Sequence, residues 1–236
     1  MKRLRLAIKK EEALQFLSHL DFARVVRLVV VRAALPVCYS EGFNPHMKLS
    51  FASALGVGVS ASVEYMDIEL TDEIPVTDII SRMNAVSPNG FAVTAGKYID
   101  EKAPKLMAIA NYSVYLLTGP TNQALSQAEL QTLLDRFNAA DQVLFEKVSP
   151  KRRKTHTVDI KQHVVEPITG KAGQQQVELT VGILQTEEGS VKPVEIWDVL
   201  GSQYGLPIMT DRMLACRLGI YVRKDGLCHT LMGEEL

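Results

Sequence analysis

The hydrophobic period along the first hundred residues switches between two and 3.6 in an order that few folds accept. Arg3 to Lys9 alternates charged residues with Leu4, Leu6 and Ile8, the pattern of a half-buried strand. Ser18 followed by Asp21 has the spacing of a capping box and sets a helix start at His19. Along that helix Phe22, Val26, Val29 and Ala33 share one face, flanked by Val25 and Val30, while Asp21, Arg24, Arg27 and Arg32 share the other. Pro36 stops it. Lys48 to Ala54 reads as a second strand, Gly56-Val57-Gly58 as a turn or bulge, and Ser62 to Leu70 as a third strand. Thr77-Asp78 is expected to cap a helix carrying Ile79, Ile80, Met83 and Val86, and Phe91 to Tyr98 supplies a fourth strand. The order β-α-β-β-α-β is that of a ferredoxin-like, split βαβ domain.

The second half repeats the plan with an extra strand. Ile99 to Lys105 is charged and contains a proline, which suits a joint. Tyr112 to Leu117, Val143 to Val148, His156 to Val165, Gln175 to Leu184 and Leu214 to Val222 read as strands. Ser126 is expected to cap a helix with Leu130, Leu133, Leu134 and Phe137 at helical spacing, and Pro193 to open another through Trp197 to about Gly205. The expected class is α+β, with two tandem ferredoxin-like domains over residues 1–100 and 106–236. No close sequence repeat relates the halves, so the duplication is read from architecture alone.

Composition narrows the function classes. Hydrophobic residues make up 47%, enough for a core in each half. The longest apolar run, Val25 to Pro36, is interrupted by Arg27 and Arg32 and falls short of the roughly 20 residues of a membrane span. The basic start Met1 to Arg5 lacks the apolar stretch of a signal peptide, and a cytoplasmic protein is expected. Cys38, Cys216 and Cys228 are far apart, with no CxxC spacing to argue a zinc site or an iron–sulfur cluster. Net charge is −1, yet basic residues collect at Lys2, Arg3, Arg5, Lys9, Lys10, Arg24, Arg27, Arg32 and Lys48, and again at Lys151, Arg152, Arg153 and Lys154. A protein neutral overall can still present such a local face to phosphate.

The stretch from Tyr39 to Phe51 is too rich in donors for a connector. Gly42 and Asn44-Pro45 supply the turn chemistry. Tyr39, Ser40, His46, Lys48 and Ser50 add groups that donate protons or hydrogen bonds, and Phe43 and Phe51 add aromatic faces. Lys48 with Arg24, Arg27 and Arg32 is expected to meet phosphate, with Tyr39, Phe43 and Phe51 as stacking platforms. Four-stranded sheets of this type are frequent RNA-binding scaffolds. His19 and His46 are the candidate acid and base should the chain cleave RNA without a metal. Glu64 and Asp67 stand three apart on one strand, so they point to opposite faces and form no carboxylate pair. No P-loop, GxGxxG, GxSxG or HExxH occurs, against the common nucleotide-dependent and hydrolase classes. No cofactor or metal is expected.

Phe16 to Asp21, the helix arginines, and Ser40-Glu41-Gly42-Phe43-Asn44-Pro45-His46-Met47-Lys48-Leu49-Ser50-Phe51 together resemble the bacterial radical SAM-linked protein family, a domain of unknown function. Glu64-Tyr65-Met66-Asp67, Lys154 to Ile160, Val191 to Glu195 and Arg217 to Tyr221 resemble further motifs of that family, so the resemblance covers nearly the whole chain. Glu41 stands where the family usually has glutamine, and Met47 where it has a second proline. The resemblance implies a separate radical SAM enzyme as partner, without SAM bound here. The expected function is a non-enzymatic accessory protein that recognises substrate, RNA rather than DNA, for that enzyme. Its contacts are expected at Arg24, Arg27, Tyr39, Ser40, Phe43, Asn44, His46, Lys48 and Ser50, with Lys151 to Lys154 as a second patch. The alternatives are a metal-independent endoribonuclease using His19 and His46, architecturally like the CRISPR repeat-cleaving enzymes, and a docking subunit contacting its partner through Glu64 to Asp78.

Overall fold

The computed structural model describes residues 1–148 and 155–233, which form two compact units. The basic stretch Lys151 to Lys154 lies outside the described residues. The first unit, Met1–Asn111 and the segment from Arg217, contains β1 (Lys2–Lys10), α1 (His19–Arg32), β2 (Leu49–Phe51), β3 (Val59–Leu70), α2 (Val76–Ala85) and β4 (Phe91–Ile99). Its strands pair antiparallel in the order β4-β1-β3-β2, with Leu4 opposite both Ile68 and Tyr98. Each helix crosses from one strand to a parallel strand two places away, the split βαβ arrangement expected.

The period of two in β1 and β3 decides the core. Leu4, Leu6, Ile8, Met66, Ile68 and Leu70 face Phe22, Val26, Val29 and Val30 of α1 and Ile79 and Met83 of α2. The other face of the sheet is covered as well. Ala7 and Tyr65 pack with Leu106 and Ala110, around the short α3 (Leu106–Ile109), and with Ile220 and Leu231.

Helix ends follow local chemistry. The Ser18 hydroxyl accepts a bond from the Asp21 amide at 3.2 Å and donates to its carboxylate at 2.6 Å, so α1 starts where the capping spacing places it. It ends before Pro36: Ala34 already sits at φ +48°, and the Arg82 guanidinium donates to its carbonyl. The expected Thr77-Asp78 cap of α2 is corrected. Pro75 takes the N-cap position without a side-chain bond, and Asp78 falls in the first turn, where its charge meets the helix dipole.

The second unit, Tyr112–Cys216, contains β5 (Tyr112–Pro120), α4 (Gln127–Asn138), β6 (Leu144–Val148), β7 (Thr155–Asp159), β8 (Thr169–Ala172), β9 (Gln176–Leu184), α5 (Pro193–Ser202) and the start of β10 (Leu214–Lys224). The sheet order is β10-β5-β9-β8, the same plan. The extra element is larger than the single strand expected. β6 and β7 form their own two-stranded ladder, and the strand that completes the sheet is the four-residue β8. Thr169-Gly170-Lys171-Ala172 has no apolar alternation, so periodicity does not register it. Ser126 and Glu129 form a reciprocal capping box on α4, and Pro193 occupies the first turn of α5. From Arg217 the chain belongs to the first unit and turns back as β11 (Leu227–Thr230). Among the described residues, no helix is long and apolar enough to cross a membrane.

Candidate functional site

The Tyr39–Phe51 stretch is a pinned hairpin leading into β2. Cys38 N donates to Glu69 O at 2.8 Å and Lys48 N to Cys38 O at 2.9 Å, which fixes the base against β3. Tyr39 bridges Met47, Ser40 N donates to His46 O at 2.8 Å, and His46 N donates to the Ser40 hydroxyl at 2.9 Å. Glu41 to Pro45 form the tip, where Gly42 adopts φ +115°, a conformation costly for any side chain. This geometry leaves Phe43 wholly exposed, at 106%, and Tyr39 half exposed. Asn44, His46 and Ser50 are exposed as well. Met47 and Phe51 turn inward to the core.

Phe51 is therefore corrected from stacking platform to core residue. Its ring lies 6.0 Å from Phe22 and meets the His19 ring edge-on at 5.2 Å. Burial, then the positive charges of Lys10 and Arg27, hold the His19 imidazole below its usual pKa. His46 sits exposed in the hairpin with its amide on the Ser40 hydroxyl, whereas His19 packs on Phe51, and no hydrogen bond or ring contact links the two histidines among the described residues. The structure does not bring the two histidines together. Lys48 reaches the Glu69 carboxylate at 3.1 Å and is partly neutralised there.

The outer face of α1 is not the purely polar surface its charges lead one to expect. Leu20, Leu28 and Val31 are exposed among the arginines. Arg24 bonds Asp21 at 2.8 Å, whereas Arg27 and Arg32 are exposed and form no ion pair among the described residues.

Two members of the sequence's basic collection, Arg5 and Lys10, turn out to be buried, and Arg3 is part-buried. Glu64 and Asp67 do point to opposite faces of β3; Asp67 is clasped by two guanidiniums and Glu64 by one. Asp67 accepts from Arg3 at 2.6 Å and from Arg5 at 2.8 Å. Those guanidiniums also donate to Ala103 O at 2.5 Å and Leu231 O at 2.7 Å, tying both covering segments to the sheet. On the helix face Glu64 meets Arg217 at 2.7 Å, and Arg217 also donates to the Ser53 hydroxyl at 2.5 Å. Lys10 is fully buried beside them, its ammonium 3.2 Å from Leu17 O and 5.5 Å from the centre of the Phe22 ring. Burial pushes the Glu64 carboxyl up, opposed by Arg217 and then Lys10, and burial pushes the Lys10 ammonium down. Glu64 and Asp67 are thus unavailable as a docking surface, which leaves Asp72, Glu73 and Asp78 exposed from that acidic stretch. Sequence reasoning counted Lys10 among the surface cations and gave Arg217 no partner, so it missed their place beside Glu64. Arg3 and Arg5 carried a signal, since they alternate with Leu4 and Leu6 and so share one sheet face. Among the described residues, no group of three His, Cys, Asp or Glu side chains could hold a metal ion.

A family model described as an uncharacterized protein conserved in bacteria (DUF2344) matches residues 3–193. No curated protein matches the sequence. Among solved structures, the chain is similar to one in the crystal structure of a Cbf5-Nop10-Gar1 complex, with TM-score 0.52 and 11% identity over 93% of this chain. It spans 50% of the length of that chain, and at this identity the likeness is one of fold. A second structure, described as an RAMP protein binding different RNA substrates, aligns with 80% of this chain and 90% of its own at 9% identity and TM-score 0.23, too low to carry an argument.

Proposed function

We propose, for a chain that belongs to this bacterial family of uncharacterized proteins, that it is a non-enzymatic module recognising RNA through α1 and the Phe43 hairpin on behalf of a separate radical SAM enzyme. The observation that carries the reading is the pair Arg27 and Arg32, exposed without counter-ions among the described residues on α1 of a unit that also projects a wholly exposed Phe43. Unneutralised guanidiniums bind phosphate with release of counterions, and an unpacked ring stacks on any unpaired base. The sheet face that comparable scaffolds use for stacking is covered here by α3 and the C-terminal segment, which favours the helix and hairpin as the contact. The radical SAM partner rests on the Ser40–Phe51 motif and its resemblance. The packing of His19 against Phe51, with no contact to His46 among the described residues, disfavours the endoribonuclease reading.

Titration of the full chain with tRNA and rRNA fragments at several salt concentrations tests this. Saturable binding is expected, with a salt slope that shallows by about one for each of Arg27→Glu and Arg32→Glu. Lys48→Ala should act more weakly, because Glu69 already holds that ammonium. Binding no stronger than that of an acidic control protein would overturn the proposal.

A further inference from the structure

Two stretches that the RNA reading leaves unused, His156 to Ile160 and Val191 to Glu195, meet within the second unit. Lys147 on β6 pairs in register with His156 on β7, and its ammonium reaches Ser190 O at 3.2 Å and the Glu195 carboxylate at 3.1 Å. Between hairpin and turn lies a cavity of about 460 Å³, lined among others by Leu144, Val158, His156, Gln162 and His163. That volume is far more than an inorganic ion needs and lies within the range of small-molecule sites.

Of the charges around the cavity, Glu188 is exposed without an ion pair among the described residues, which itself disfavours phosphate, and the others are spoken for. Glu195 neutralises Lys147, and Asp159 accepts from the Val143 and Lys161 amides at 3.0 Å each. No unpaired lysine or arginine is left on the described lining to favour phosphate. What remains is hydrogen-bonding capacity. His163 is buried, and its Nδ1 lies 3.1 Å from Leu184 O. A carbonyl only accepts, so Nδ1 carries the hydrogen, and in the neutral ring Nε2 is left as an acceptor. Nε2 has no hydrogen bond among the described residues. Gln162 offers an amide with both donor and acceptor, and the exposed His156 ring offers a face for stacking.

We propose that this cavity holds a single unpaired nucleobase, with an N–H of the base donating to His163 Nε2, Gln162 reading its edge and the His156 ring stacking on it. The site rests on the RNA reading and gives it a base-reading component separate from the cationic face of α1. A pocket that reads a splayed base by its edge and by stacking is a common way to recognise single-stranded RNA.

The full chain is titrated with each of the four nucleosides, and with ribose 5-phosphate and inorganic phosphate as controls, while the ring resonances of His156 and His163 are followed by NMR. Saturable shifts with at least one nucleoside, and none with either phosphate, are expected. His156→Ala and Gln162→Ala, both at exposed positions where folding is not at stake, should each weaken that binding about tenfold. The proposal is overturned by the absence of saturable shifts up to about 10 mM nucleoside, by equal shifts with phosphate, or by unchanged affinity in both variants. Arg27→Glu with Arg32→Glu separates the two readings. It should abolish RNA binding and leave the nucleoside titration intact, so loss of one result does not imply loss of the other.

Discussion

Phe43 projects a full aromatic ring into solvent from a hairpin whose base is pinned by three backbone hydrogen bonds. Phe43→Ala should therefore leave the melting temperature unchanged and weaken RNA binding by about 1–3 kcal/mol, the worth of one stacked base. A drop in melting temperature instead would mean that the ring packs on its own protein. His19 gives a pH signature. Its folded pKa lies below the unfolded value of 6.5, so the unfolded chain binds more protons in the window below 6.5. The contribution is present in full above 6.5 and is lost as pH falls through the folded pKa. Thermal melts between about pH 5 and pH 7.5 should show this decline, and His19→Gln should flatten it; an identical pH profile in the variant would refute the assignment. Hydrophobic period alone makes the placement of Phe22 and Val26 legible. It does not settle Phe51, which begins an apolar strand yet sits beside a polar loop, and only the packing of Phe22 and His19 against it decides the matter.

At the scale of elements, caps were legible where a side chain performs them. Ser126→Ala should cost about 1 kcal/mol in urea unfolding, since it removes one half of the α4 capping box. The α2 cap was not legible, because Pro75 acts through its fixed φ rather than through a side-chain bond. The pairing of β5 with β9 carries a constraint that no pattern announces. A Cβ on Gly182 would lie 1.7 Å from the Tyr112 hydroxyl, which donates to Glu166 at 2.7 Å. Gly182→Ala is expected to displace that ring and destabilise the unit by about 1–3 kcal/mol. A cost below about 0.5 kcal/mol would show that the tyrosine moves away freely. β8 stayed invisible because a four-residue strand of Thr, Gly, Lys and Ala is shorter than the window over which alternation can be recognised.

At the scale of the whole molecule, Asp67 is the residue on which the covering of the first sheet depends. Asp67→Ala would leave Arg5 buried and Arg3 part-buried without their counter-ion, and a loss of about 3–5 kcal/mol is expected. Amide exchange around Leu231 should accelerate in the same variant, because Arg5 holds that carbonyl only while Asp67 orients it. Exchange no faster than in the unaltered chain would separate the two effects. Taken alone, the sequence determined the α+β class, the order of the tandem split βαβ plan, the inner face of α1 and the position of the turn-rich hairpin. Each of these is set by neighbours within a few residues, through hydrophobic period, caps and turn formers. The tertiary structure decided which charges are surface. Arg3, Arg5, Glu64, Asp67 and Arg217 look like solvated residues in a string of letters, and become largely buried networks because partners 62 to 226 positions away in sequence meet them. It also decided that the chain from Arg217 returns to the first unit. Burial and pairing at that separation depend on where distant segments arrive in space, and local periodicity carries no record of it.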